Sequence, residues 1–375
     1  MRKLIIGGSC LLAIAAAGLV PAAYGQDAPE RLDRSSVAKK TFEEPAPSGM
    51  ASLLAVIVVN DSGDGTDASP GNGICETAAG NGLCTLRAAI GEANALAGDD
   101  TIVFDPAVTS ISVNGQIAIS SNIDIIGNGP DVLTIQNTAA LSTTSRIFNI
   151  TNFVVHLHGM TLSGGNVTGN GGAVQNTGNL TITNCVISDN KASAVGGGVR
   201  STNNLTLIGS RLTNNSSTAS TSGGISFAGA NLTIDRSSID GNSSFGNGGG
   251  LNVSASVSMA ISNSAIVNNT AGASSGGFFT NRGTVTNTTV SGNIANGSLA
   301  TDGGGGVRIQ AGANTVSFIA STITNNSAQN SSAGARSGLW HETGTVNLTN
   351  TIIAGNTAQD IQRDGTAVLV SGGFI

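Results

Sequence analysis

Charge is what this 375-residue chain has least of. Only 10% of its residues are Asp, Glu, Lys or Arg, against roughly 25% in ordinary soluble domains. Sixteen Lys and Arg against 22 Asp and Glu leave a formal charge of -6 and a pI near 5.0. The basic residues are scattered, so the clustered cationic surface that nucleic acid requires is missing. Aromatic residues amount to 3%, with one Trp and one Tyr, which is thin for a glycan-stacking platform. Beyond the N-terminal region no stretch approaches 18 uninterrupted apolar residues, so no membrane span is expected in the mature chain. Cysteine is limited to four residues, Cys10, Cys75, Cys84 and Cys185.

What is abundant is glycine, 53 residues, together with one recurring phrase. From Val154 to Ala358 the chain reads VVHLHGMTLSGG, LTITNCVISDN, LTLIGSRLTNN, LTIDRSSIDGN, MAISNSAIVNN, TVTNTTVSGN, VSFIASTITNN and VNLTNTIIAGN. Aligned on the last apolar residue of each copy (Leu162, Ile187, Leu212, Ile239, Ile266, Val290, Ile323 and Ile353), the copies show apolar-polar alternation, the period of a strand. Three residues after each anchor stand Gly165, Asn190, Asn215, Asn242, Asn269, Asn293, Asn326 and Asn356. A second phrase lies between copies: GGAV, GGGV, GGIS, GGGL, GGFF, GGGV and SGLW.

Repeats this short cannot bury an apolar face alone and must stack on one another. The expected fold is all-β: a right-handed parallel β-helix (solenoid) of roughly ten rungs, about 4.8 Å apart, with an N-terminal capping helix. In such a stack the Asn column forms a ladder, its amides hydrogen-bonding from rung to rung while Asn and Gly supply left-handed backbone at a sharp corner. The column two before the anchor (Met160, Cys185, Ser210, Ser237, Ser264, Thr288, Ser321 and Thr351) is small and mostly hydroxylic. Cys185 therefore reads as a serine-sized inward residue, not a reactive thiol.

Four segments follow. Residues 1–25 carry Arg2 and Lys3, an apolar run from Leu4 to Val20 and a small-residue site at Ala23-Tyr24-Gly25, the pattern of a secretory signal peptide. Residues 26–50 hold much of the charge with Pro29, Pro45 and Pro47, and read as a flexible linker. Residues 51–106 form an N-terminal cap: SLLAVIVVN is a buried strand, and Leu86, Ala89, Ile90, Ala93 and Leu96 follow helical spacing behind Thr85 as N-cap. Cys75 and Cys84, a close pair in an exported protein, are expected to be bridged. Residues 107–375 are the solenoid, whose last rung has no visible cap and whose C-terminal end reads as incomplete. Asp61, Asp64 and Asp67 invite calcium in a Gly-rich loop, but their spacing matches no EF-hand or RTX repeat, and a solvated turn is the simpler reading.

The stretch CTLRAAIGEANALAGDDTIVFDP resembles the N-terminal CSLREA domain, and IDIIGNGPDVLTIQN, SRIFNI and GMTLSGGN resemble the β-helix that follows it in exported bacterial proteins of the choice-of-anchor type. The likeness covers roughly residues 53 to 373. Where that family has Ser-x-x-Glu, a capping box, this chain keeps Thr85 but has Ala88. The GGA[ILV] and [FILV]xxN phrases are also similar, more weakly, to polymorphic outer-membrane protein repeats. The resemblance implies an exported β-helix at the cell surface, outside the cell or in the periplasm.

Catalytic residues must converge across rungs, and here they do not. Asp189, Asp235, Asp240, Asp302 and Glu342 form no adjacent pair of the kind polysaccharide lyases and hydrolases need. His156 and His158 read as exposed polar positions, and Gly303 to Gly306 as a loop between strands. The best candidate surface is the column after each glycine phrase: Gln175, Arg200, Ser226, Asn252, Phe279, Arg308 and Trp340, with His341 and Glu342 adjacent. Alternation turns it outward when Val199, Leu251, Phe278, Val307 and Leu339 point in. Along such a strip aromatic rings stack on sugars, and arginines pair with acidic groups. A non-catalytic, adhesin-like or polysaccharide-binding protein is the leading expectation. A lyase or hydrolase using Arg308, His341 and Glu342, and a purely structural surface protein, are the alternatives.

Overall fold

A computed structural model describes residues 55–254, 258–299, 302–329 and 336–372. The segments expected to be a signal peptide and a linker, residues 1–25 and 26–50, lie outside the described residues. The chain coils into a parallel β-solenoid of ten turns, with 20-, 10- and 7-stranded sheets. A typical turn runs through Val199–Ser201, Leu205–Ile208, Arg211–Thr213 and Ser216–Ser217. Two of these strands join the largest sheet and one joins each of the others.

The alignment made on the sequence is the physical register. Leu162, Ile187, Leu212, Ile239, Ile266, Val290, Ile323 and Ile353 are successive Cα partners, each at most 7% exposed. A second buried column runs from Ile125 through Leu157, Ile182, Leu207, Ile234, Ile261 and Val285 to Phe318 and Leu348. Every buried Leu or Ile contributes about 1.5–3 kcal/mol, and a one-residue slip would turn the whole set to solvent.

The asparagine ladder is continuous. Asn190, Asn215, Asn242, Asn269, Asn293 and Asn326 each donate Nδ2–H to the Oδ1 of the next ladder Asn at 2.9–3.0 Å, ending on Asn356. Each Nδ2 also donates to the anchor carbonyl of the preceding turn, as Asn242 does to Leu212 O at 3.0 Å. One expectation needs correcting: the ladder Asn is not the left-handed residue. Positive φ falls one position earlier, at Gly164, Asp189, Asn214, Gly241, Asn268, Gly292, Asn325 and Gly355. The corner residue turns the chain and the next one, freed of that duty, points inward. The glycine phrase belongs to the same device. A Cβ at Gly250 would sit 2.9 Å from Asn269 Nδ2 and 2.7 Å from Gly277 O, so a side chain there would displace the ladder.

The hydroxylic column works similarly: Ser210 Oγ accepts from Cys185 N and Ser237 Oγ from Ser210 N, both at 3.1 Å. Cys185 is buried, and burial pushes its thiol up to about 11, the behaviour of an inert core cysteine.

At the N-terminal end, β1 (Val56–Val59) pairs in parallel with β2 (Asp99–Phe104), and α1 (Leu86–Ala95) lies between them in the chain. Leu86, Ala89, Ile90 and Ala93 are buried against the solenoid core. Thr85 Oγ1 accepts from Ala88 N at 3.0 Å, keeping the N-cap bond without the reciprocal Glu. The helix stops sooner than the apolar spacing suggests, with Leu96 as its C-cap. Cys75 and Cys84 are disulfide-bonded. Glu92, 1% exposed, faces the Gly-rich loop and accepts from the N–H groups of Gly71 and Gly73. No helix among the described residues is long and apolar enough to cross a membrane.

Candidate functional site

The column after each glycine phrase is a single row of register partners. Gln175, Arg200, Ser226, Asn252, Phe279, Arg308 and Trp340 stack in that order. The row continues to Asn149 and Ala118 at one end and to Gln362 at the other. Val174, Val199, Ile225, Leu251, Phe278, Val307 and Leu339, one residue earlier, are all 0% exposed, so strand alternation turns the row outward.

The half nearer the C-terminus is closed on itself. Arg308 lies 4.4 Å from the Trp340 ring centroid and 5.8 Å from that of Phe279, and Arg336 lies 4.1 Å from the Trp340 ring. These are cation–π distances. Arg308 Nε donates to Glu342 Oε1 at 2.5 Å, and Trp340 Nε1 donates to Asp364 Oδ2 at 2.8 Å. Burial raises the Asp364 carboxyl, but hydrogen bonds from Gln362 and Trp340 and the nearby Arg336 charge outweigh it, leaving the group below its ordinary value. Trp340 is 3% exposed. It is a structural ring between two guanidinium groups, not a platform for sugar. His341 is 0% exposed and stands in the inward column beside Ile309, with Nε2 3.1 Å from Thr343 O and Nδ1 without a partner. Burial pulls its pKa below the ordinary histidine value. Arg308 and Glu342 are committed to each other and His341 faces away, so the three do not form a surface constellation.

The other half is open. Asn149, Gln175 and Asn252 have side-chain amides that make no hydrogen bond among the described residues, and Gln175 Oε1 is a buried acceptor without a donor. Arg200 Nη1 donates to Ser226 Oγ at 2.7 Å and has no carboxylate within ion-pair distance among the described residues. Burial lowers its pKa from the ordinary arginine value. Arg146 stands just before the strand carrying Asn149, half-buried, donating to Gln116 Oε1 and to Asn170 O. Sequence reasoning found Arg200 and Asn252 but missed Arg146 and Asn149. Their turn precedes the first copy of the repeated phrase.

Elsewhere the candidate groups are occupied locally. Asp64 receives Arg87 in a two-pronged pair at 2.8 and 3.0 Å. Asp61 Oδ1 accepts from Gly63 N, and Asp67 accepts from Ser69 N and Glu76 N. The three carboxylates therefore serve three separate tasks instead of meeting round a calcium ion, and no group of three His, Cys, Asp or Glu converges among the described residues. His156 Nδ1 sits 2.7 Å from Asp124 Oδ1, both half-exposed, beside a shallow pocket of ≈ 190 Å³.

Compared with family models, curated proteins and solved structures, the chain matches none.

Proposed function

We propose that this is an exported, non-catalytic β-solenoid that binds a linear polysaccharide along the outward strip, in the manner of an adhesin. The observation that carries the reading is the open half of the strip. Asn149, Gln175, Arg200 and Asn252 stand in register, one per turn apart from Ser226, with amides that make no hydrogen bond among the described residues and a guanidinium that gives one donor to Ser226 Oγ. Polar groups held at fixed intervals on a rigid sheet meet a repeating ligand with little ordering cost. The Cys75–Cys84 bridge accords with an oxidising compartment, as does the N-terminal leader-like sequence.

The test is incubation with immobilised acidic and neutral polysaccharides, recording both retention and new reducing ends. Retention without new ends is the expected result. Cleavage would establish a lyase or hydrolase instead. Failure to retain any polymer would leave the strip as a solvated face of a structural protein.

A further inference from the structure

Resting on that reading, we infer that the polymer is acidic and that Arg200 receives one of its carboxylates. The assignment comes from which arginines are neutralised. Arg87, Arg211, Arg236, Arg308 and Arg336 each have a carboxylate within 3.5 Å. Arg146, Arg200, Arg282 and Arg363 have none among the described residues, but Arg146 already donates from all three guanidinium nitrogens to Asn170 O and Gln116 Oε1, Arg282 and Arg363 are exposed and outside the row, and Arg200 alone stands in the open half of the strip. Its guanidinium is half-buried, and burial lowers its pKa.

A partly desolvated cation without a counter-charge is costly to keep, and an arriving carboxylate relieves that cost while matching the planar guanidinium fork. Arg200 gives one of its five N–H donors to Ser226 Oγ, which fixes the group and leaves most of its fork available. The half-buried Asn252 amide and, through its Nε2, that of Gln175 then face the polymer's hydroxyls. No Asp or Glu occupies the row from Asn149 to Asn252, so nothing there repels an anion. The chain as a whole carries a formal charge of -6, and generalised attraction of a polyanion is therefore opposed.

The experiment measures binding of the full mature chain to hyaluronan, which has a carboxylate on every second sugar, and to the same polymer after its carboxyls are reduced to alcohols. The expected result is roughly tenfold or greater preference for the acidic form, weakening as salt rises. Arg200→Gln should remove most of that preference, and Arg200→Lys should retain part of it with the fold undisturbed. Arg282→Gln removes an equal charge outside the row, where the Arg282 guanidinium donates to Asn314 Oδ1, and should bind as the parent does. Equal binding of the acidic and reduced polymers would overturn the anion assignment while leaving polysaccharide binding intact. Binding of neither polymer, nor of any in the wider panel, would overturn the binding reading itself. An Arg282→Gln loss as large as that of Arg200→Gln would show a bulk charge effect and also overturn the assignment.

Discussion

Arg200 and Arg308 occupy the same position on the same face of the same solenoid, four turns apart, yet their surroundings are opposite. Arg308 is sandwiched between rings, paired with Glu342 and only 14% exposed at its side chain. Arg200 touches a serine and has unengaged amides one turn away at Gln175 and two turns away at Asn252. The difference teaches that position on a solenoid sets direction but not availability. What closes the far half comes from outside the row: Glu342 two residues past Trp340, Arg336 in the corner before it, and Asp364 from the following turn. The strands change there too. Val307–Ile319 and Leu339–Thr349 run through the break that divides the first sheet's strands in earlier turns.

The strongest way to break the comparison is to remove what both halves share. Asn242→Leu leaves Asn215 N and Nδ2 without their acceptor and Leu212 O without its donor, all bonds of 3.0 Å in a buried column. At about 1–3 kcal/mol for each orphaned group, the loss should reach roughly 4–6 kcal/mol. A large fall in melting temperature with loss of ligand retention is expected. An unchanged melt would remove the ladder from the account.

Trp340→Ala separates the halves. Deleting a buried Trp costs about 3–5 kcal/mol, and the variant also strands Asp364 without its indole donor. Thermal unfolding should show a lowered transition while polysaccharide retention, assigned to the open half, persists.

The smallest effect is that of pH on the closed half. His341 is buried with its folded-state pKa below the ordinary value of about 6.5. As pH falls through about 6.5 the unfolded chain takes up a proton that the native chain refuses, so stability declines from there down to the depressed folded value and levels off on either side. Melting curves from pH 7.5 downward should show this slope, and His341→Gln should flatten it. A slope that survives the substitution would assign it to another group.

The fold was legible because its driving pattern is local and repeated. One apolar anchor per copy aligns all turns, and any misalignment would bury threonines and asparagines. The left-handed corner was misplaced by one residue for a physical reason. Asn-Asn, Asp-Asn and Gly-Asn pairs put suitable residues at both positions, and only stacking decides which turns and which points in. Trp340 and His341 were misjudged because their covers, Arg336, Asp364 and the inward column of Ile309, belong to segments without a repeated phrase. Glu92 escaped notice similarly, since its partners are backbone N–H groups of a loop some twenty residues earlier. Arg200 could be read directly, since alternation fixes its direction and it follows the glycine phrase.

The central claim is that the open half binds and the closed half supports. Its most direct test is the dissociation constant for one carboxylated polysaccharide measured side by side on Arg200→Gln and Trp340→Ala. The account predicts affinity weakened about tenfold or more by Arg200→Gln and essentially unchanged by Trp340→Ala, despite the lower stability of the latter. Full affinity in Arg200→Gln together with lost affinity in folded Trp340→Ala would contradict it.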